Sequence, residues 1–394
     1  MKIAVLGPCD LLPFMGILED RESIPPTYSF PYIAQLVHAY LERGHEVEIV
    51  TSSEHIDTPK RWQSNIGLNV SVVPKRSRAR DRAFDLFERE SSWISEATRD
   101  AQPDVIHAHW LYEFASGGLD VQSDALITAH DAPISVIRHY GRHPYWWFRE
   151  YAGVRNLRRV INLTAVAPTL SLELQPFVRR NTSIDVIPNG LNLGAGGHDS
   201  PRYKVNNCSR PSFAVVANGF DRRKNSGAAL HAFRKVREKL PSSVLHMFGQ
   251  GHEPGGKAFA WAAKRGLIEN VQFHGVHSHA SLQSFINSEV DIMVHPSRWE
   301  ACSLAILESR SLGVPVIGAK HAGGVGFTLD AGLSGDLVAQ RPGAYANAML
   351  NLVTDSGAYM RKAKQAREGL TPTFDMAIVT QLYIDRLQKI LEVR

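Results

Sequence analysis

Short apolar runs alternate with longer segments of helical spacing along most of the chain. KIAVLG, VEIVTS, VSVVP, DVIHAHW, ALITAH, LTAVAP and IDVIP read as buried strands of the first half, and PYIAQLVHAYLERG carries apolar residues at the spacing of one helix face. FAVVANG, VLHMFG, NVQFHG, VDIMVHP, PVIGA and GDLVA repeat the pattern in the second half. Strands separated in this way by helices predict an α/β class with parallel sheets. Between the two series, residues 190–211 lose periodicity and gather Gly, Asn, Ser and Pro, which predicts a linker. Two Rossmann-like, doubly wound domains are therefore expected, 1–190 and 191–374, with ligands at the carboxyl ends of their strands, in a cleft that the domains face.

Length agrees, since 394 residues at roughly 100–200 per domain suggest two. An apolar content of 44% and a charged content of 21% are those of an ordinary globular protein, and no apolar run approaches the roughly 18 residues of a membrane span. MKIAVLG is too short an apolar stretch before Pro8 and Asp10 for a signal peptide, so a cytoplasmic location is expected. Cys9, Cys208 and Cys302 are few and widely separated, which argues against a disulfide framework or a cysteine-rich metal site. The sequons at Asn162 and Asn181 then carry no weight.

The net charge of +5 is modest but concentrated in two clusters. Lys75, Arg76, Arg78, Arg80 and Arg82 form one; Arg138, Arg142, Arg149, Arg155, Arg158 and Arg159 form the other, interleaved with Tyr140, Tyr145, Trp146, Trp147, Phe148 and Tyr151. Such a mixture suits a solvated helix face over a buried aromatic stripe, and equally an anionic membrane, a polyanionic acceptor or a partner protein. No nucleic-acid motif accompanies it, and nucleic acid is not an expected partner.

The candidate chemistry lies in HPSRWEACSLAILESRSLGVPV. Residues 290–295 read as a buried strand, 296–302 as a turn, and 303–312 as a helix stopped by Gly313 and Pro315. Glu300 falls on the turn and Glu308 one to two turns into the helix, so the two carboxylates can reach different ends of one ligand. Between them the amides of Cys302, Ser303 and Leu304 are the first N–H groups of the helix, at the positive end of its dipole, where a phosphate fits. Each acid taken alone reads as a cap or a surface acid. FAVVANGFDRRKN likewise sets Arg222, Arg223 and Lys224 directly after a strand, with Asn225 and Ser226 as candidate caps of the next helix. His130 and Asp131 end the strand ALITAH, and His107 and His109 share one face of DVIHAHW, where packing, acceptor contact and metal ligation are all open.

Pro296, Ser297, Glu300 and Glu308, with DVIHAHW, TAHDAP, IPNGLN, VVANGFDRRKN, MFGQG, VQFHGV and the turn Gly323-Gly324-Val325 in order, make the chain resemble the family-4 retaining glycosyltransferases. The resemblance implies the GT-B fold, with a last helix at 375–394 crossing back onto the N-terminal, acceptor-side domain, and a C-terminal domain that binds the nucleotide sugar. It implies that Lys224 grips the leaving diphosphate, Glu300 the sugar hydroxyls, Glu308 the ribose, and Cys302 to Leu304 the diphosphate. Val276 and His277 would lie by the base, and His130 would hydrogen bond near the donor sugar. The implied reaction moves a hexose from a nucleoside diphosphate sugar, UDP- or GDP-linked, to the hydroxyl of a glycan, lipid-linked or small-molecule acceptor. The setting is glycan, polysaccharide or glycolipid synthesis. No cofactor is implied and, with no Asp-x-Asp motif anywhere, no metal.

Two stretches depart from the family. The arginine usual five positions before Lys224 is Gly219 here, leaving Arg222 or Arg223 to substitute. The glycine pair of the first loop is absent from Pro26-Thr27-Tyr28-Ser29-Phe30-Pro31, so the segment from Cys9 to Thr27 reads as a specialised acceptor loop. These departures keep open a noncatalytic sugar-nucleotide-binding subunit, beside an epimerase of the same architecture. A dinucleotide oxidoreductase fits poorly, because the first strand leads into GPCDLLP and not into G-x-G-x-x-G. Gly251 to Lys257 nearly matches a Walker loop, but Ala258 stands where the magnesium-holding Ser or Thr belongs, and an ordinary glycine turn is expected.

Overall fold

A computed structural model describes residues 1–19, 23–28, 30–193 and 210–394. The chain divides into two compact units, Met1–Asn192 with Met376–Arg394, and Leu193–Asp375. Most of the expected linker, residues 194–209 with Cys208, lies outside the described residues.

The N-terminal unit is built on eight strands: β1 (Lys2–Leu6), β2 (Glu46–Ser53), β3 (Lys60–Gln63), β4 (Leu68–Pro74), β5 (Val105–His109), β6 (Leu126–Ala129), β7 (Asn162–Ala165) and β8 (Ile184–Val186). They order as β3-β4-β2-β1-β5-β6-β7-β8, parallel throughout except that β3 runs antiparallel to β4 at the edge. The central strands are buried along their length, which is why they read as apolar runs. β3 escaped the sequence reading because KRWQ buries only Trp62 and so has no apolar pattern. Several helices open on proline, at Pro31, Pro133, Pro144 and Pro168, where the missing N–H costs nothing and the fixed φ suits the first turn.

The last helix, Met376–Val393, belongs to this unit. Its Tyr383 ring lies 4.6 Å from the His107 ring, and Arg43 donates to the Ala377 carbonyl at 2.8 Å. At the entry to the helix a Cβ on Gly190 would stand 2.9 Å from Met376 Cα, so the close approach requires glycine.

The C-terminal unit holds β9 (Ser212–Val216), β10 (Val244–Phe248), β11 (Val271–Gly275), β12 (Ile292–His295), β13 (Val316–Ala319) and β14 (Gly335–Val338). The order β11-β10-β9-β12-β13-β14 is wholly parallel, and Phe213, Phe233, Met247, Ile292, Ile317 and Tyr345 fill the layer between sheet and helices. Strand order reverses between β1 and β5 in one sheet and between β9 and β12 in the other. At such a switch point the loops leaving adjacent strands part in opposite directions and open a crevice at the carboxyl ends. Residues that follow β1, β5, β9 and β12 are therefore the ones the fold offers to a ligand, with those after β6 next to them.

Candidate functional site

In the C-terminal unit the loops after β9 and β12 meet. Asn225 enters the helix Ser226–Arg237 in the left-handed region at φ 53°, and its side chain does not cap that helix as expected. It donates instead to the Pro296 carbonyl at 3.0 Å, and the Arg298 amide donates to the Arg223 carbonyl at 2.7 Å. These bonds tie the basic turn to the HPS turn and bring Lys224 and Arg223 onto Glu300. Lys224 Nζ lies 2.7 Å from Glu300 Oε1, and Arg223 Nη1 lies 2.9 Å from Oε2. The Glu300 backbone is held as well: its amide donates to Ala322 at 3.3 Å, and its carbonyl accepts from Gly324 at 2.8 Å. A Cβ on Gly323, at φ 62°, would fall 2.5 Å from the Glu300 carbonyl oxygen, so this turn must be glycine.

Burial alone would raise the Glu300 carboxyl, yet the charges of Lys224 and Arg223 hold it well below the usual carboxylate range. His295, with Nε2 at 3.7 Å from Glu300, is pushed by burial down to about 4 and is neutral at pH 7. The site thus presents a fixed carboxylate between two cations. Gly219 has φ 99°, a conformation that side chains rarely adopt, so the turn itself excludes the family's usual arginine. Arg223 occupies the cationic role beside Glu300, and Arg222 stays exposed.

The helix Leu304–Ser311 starts one residue later than expected, with Ser303 as N-cap making no side-chain cap bond. Among the described residues the amides of Ser303 and Leu304 find no acceptor, as expected of a helix start. Cys302 and Ser303 are buried beside them. Arg310, fully buried, anchors the helix through Asp330 at 2.5 Å and the Thr328 carbonyl at 2.6 Å. Glu308 Oε1 accepts from His279 at 3.1 Å, a hydrogen bond that raises the imidazole above its ordinary value. Val276 is exposed, and His277 bonds Ser281 at 3.3 Å. In the near-Walker loop the Gly251 amide donates to Glu253 at 2.7 Å, so this loop satisfies itself.

In the N-terminal unit, His107 is a packing residue, bonded to Tyr40 at 3.0 Å and Thr128 at 2.8 Å. His109 Nδ1 and His130 Nε2 pair at 3.0 Å, and burial pushes His130 down to about 3, leaving a neutral hydrogen-bonding group. The stretch that lacks the glycine pair packs against them, with Phe30 edge-on to His130 at 5.4 Å and Tyr28 edge-on to Trp110 at 5.6 Å, and Thr27, at the end of the loop expected to be specialised, bonds the Cys9 carbonyl at 2.8 Å. Beside them lies a group that the sequence did not single out as a unit. The Tyr112 hydroxyl bridges Asp131 at 3.0 Å and Glu150 at 2.8 Å, and the Arg149 guanidinium lies 3.8 Å over the Tyr112 ring. Burial, then the Asp131 charge, push Glu150 up to about 8.

Both basic clusters are therefore less open than their sequences suggest. Lys75, Arg76 and Arg82 are spent on Glu54, Asp85 and Glu90, leaving Arg78 and Arg80 exposed. Arg149 turns inward, whereas Arg138, Arg142, Arg155 and Arg158 are exposed with Trp147, Phe148 and Tyr151.

Comparison with known proteins decides what this arrangement belongs to. The family described as "Glycosyltransferase Family 4" matches residues 31–194, and "Glycosyl transferases group 1" matches residues 202–369. The chain belongs to the family-4, group-1 glycosyltransferases. It is an enzyme of nucleotide-sugar-dependent hexosyl transfer with the GT-B fold. Among curated proteins this glycosyltransferase is 26% identical to the glycogen synthase of Mycobacterium tuberculosis over 293 residues, 71% of this chain and 67% of the relative. Among solved structures it superposes on sucrose-phosphate synthase from Thermosynechococcus elongatus with a TM-score of 0.78 at 18% identity, over 100% of both chains. HepE from Anabaena, solved in complex with UDP-glucose, gives 0.70 at 15% identity over 99% of this chain and 100% of its own. No helix among the described residues is long and apolar enough to cross a membrane.

Proposed function

We propose that the C-terminal unit takes the donor, a UDP- or GDP-linked hexose, and that transfer retains the anomeric configuration. The observation that carries the reading is the clasp of Glu300 by Lys224 and Arg223 beside the unpaired amides at Ser303 and Leu304. A diphosphate accepts those amides and Lys224 together. As the bond from C1 to the phosphate oxygen breaks, negative charge develops where these donors already point, which is where they lower the barrier. The acceptor hydroxyl oxygen forms the new bond to C1 on the same face, and its proton passes to the departing phosphate. Glu300, ionised and held on both oxygens, receives sugar hydroxyl hydrogens, and Glu308 receives those of the ribose. Cys302 lends its backbone, and Val276 and His277 border the base. His130, neutral, donates or accepts a hydrogen bond without taking up a proton. The positive field of Lys224 and the helix amides stands in for a metal, so chelation should leave turnover unchanged.

The N-terminal unit takes the acceptor, a hydroxyl-bearing glycan, lipid-linked or small molecule. We further read the exposed Trp147, Phe148 and Tyr151 of the helix Pro144–Leu157, with Phe84 of the adjacent helix Ala79–Phe84 and the exposed Arg80, Arg142 and Arg155, as a peripheral contact for anionic lipid on the cytoplasmic face. Liposome binding should fall with salt and on removing these arginines; salt-insensitive or absent binding rejects it.

Calorimetry with UDP, GDP, ADP and TDP and their hexose conjugates, on wild type and Glu308→Ala, tests the donor reading. A Glu308-dependent heat with one nucleotide is expected, and none with any nucleotide overturns it.

A further inference from the structure

The Arg149 side chain makes no hydrogen bond and no ion pair to any described residue. It is held by rings: its guanidinium carbon lies 3.8 Å from the Tyr112 centroid, 5.3 Å from Trp146 and 5.4 Å from Trp110. Stacking fixes the plane of the fork and leaves its five N–H donors unspent. Burial opposes the charge, but a guanidinium stays protonated at neutral pH, and the carboxylates of Asp131 and Glu113 favour its charged form.

The position of the fork matters as much as its state. Trp110 is the residue directly after β5, and Tyr112 bonds to Asp131, two residues beyond β6. Arg149 therefore stands over the carboxyl ends of β5 and β6, beside the sheet's switch point and the His109–His130 pair. Burial pushes the carboxyl of its neighbour Glu150 upward and the Tyr112 hydroxyl already bonds it at 2.8 Å, which weakens it as a competitor for the cation. Asp131 is engaged by the Tyr112 hydroxyl at 3.0 Å, and Glu113 lies at a helix start, where the dipole offsets its charge. A planar fork with unspent donors matches a ligand that carries an oxyanion, and a glycosyl acceptor brings the hydroxyl groups itself.

We propose that Arg149 is a specificity-determining residue of the acceptor subsite, and that the acceptor is a hydroxylated compound bearing a phosphate or a carboxylate. This rests on reading the N-terminal unit as the acceptor side.

The test is an intrinsic tryptophan fluorescence titration of the full chain, Trp110 and Trp146 being in contact with the fork, with glucose 6-phosphate, glucuronate and glucose as probes. It is run without and with saturating UDP, which occupies the cations of the C-terminal unit. Wild type should bind at least one anionic probe about tenfold or more tighter than glucose in both conditions, and R149Q should abolish the difference. Preference for glucose 6-phosphate alone assigns phosphate, and for glucuronate alone carboxylate. Equal affinities in wild type overturn the proposal, as does an R149Q protein that still discriminates with unchanged thermal unfolding. Should R149Q fail to fold, R149K decides: keeping a cation without the fork, it must weaken the anionic probes and spare glucose. Failure of UDP itself to bind would count against the donor reading only, because the titration without UDP still reports on Arg149.

Discussion

The strand ends of the two units solve the same electrostatic problem in opposite ways. After β9 and β12, Lys224 and Arg223 are both committed to one buried carboxylate, Glu300, at 2.7 and 2.9 Å. After β5 and β6, Arg149 is committed to no carboxylate and is held by three aromatic rings. A cation buried in an ion pair is fixed in place, but its ligand must share it with the carboxylate already there. A cation stacked on rings is oriented just as well and keeps its donors free. The first arrangement suits a group whose charge grows during reaction, and the second suits a group that must be recognised before it.

The largest expected effect separates the two directly. Lys224→Ala should lower turnover by about 10²-fold or more, the scale on which a single charge-stabilising donor acts. Near-normal turnover would mean that the diphosphate is gripped elsewhere. Glu308→Ala should weaken nucleotide binding by roughly tenfold or more, since a hydrogen bond to a charged group contributes about 1.5–3 kcal/mol. A matching loss on His279→Ala would instead assign the effect to the imidazole. Gly219→Arg, which restores the family's usual residue, should cost about 1–2 kcal/mol of stability without raising activity, because the turn needs φ 99°. A faster and equally stable variant would show that the turn can relax.

The smallest effect on turnover sharpens the other side. Between the unfolded carboxyl's value of about 4.3 and the folded value of about 8 for Glu150, the folded protein holds a proton that the unfolded chain lacks. Rising pH therefore erodes stability across that window, and the loss levels off above it. Glu150→Gln removes the titration, so its melting temperature should gain on wild type from pH 5 to pH 8; a constant difference would place Glu150 ionised and return one carboxylate to Arg149.

The fold was legible because buried parallel strands are apolar on both faces; the strand that was missed, β3, is an edge whose only buried residue is Trp62. The meeting of Lys224, Arg223 and Glu300 was legible because these residues sit close to strand ends within motifs of fixed spacing. Even there, Asn225 reads locally as a cap but is turned by φ 53° to pin the Pro296 carbonyl. Arg149 could not be distinguished from Arg142 or Arg155, which stand in the same run of basic and aromatic residues. Only the helix phase, which puts Glu150 against Tyr112 and Arg149 over its ring, separates it from its exposed neighbours.

By itself, the sequence determined two α/β units, their central strands, the turns that carry Lys224 and Glu300, and the helix that carries Glu308, because hydrophobic period and glycine chemistry are local properties. Tertiary structure alone decided which charges are spent and which are free. Arg76 and Arg82 are consumed by Glu54, Asp85 and Glu90, Glu300 is shared by two cations, and Arg149 is left with rings. The charge of a side chain is fixed by its chemistry, but its availability depends on partners that the chain brings in from many residues away.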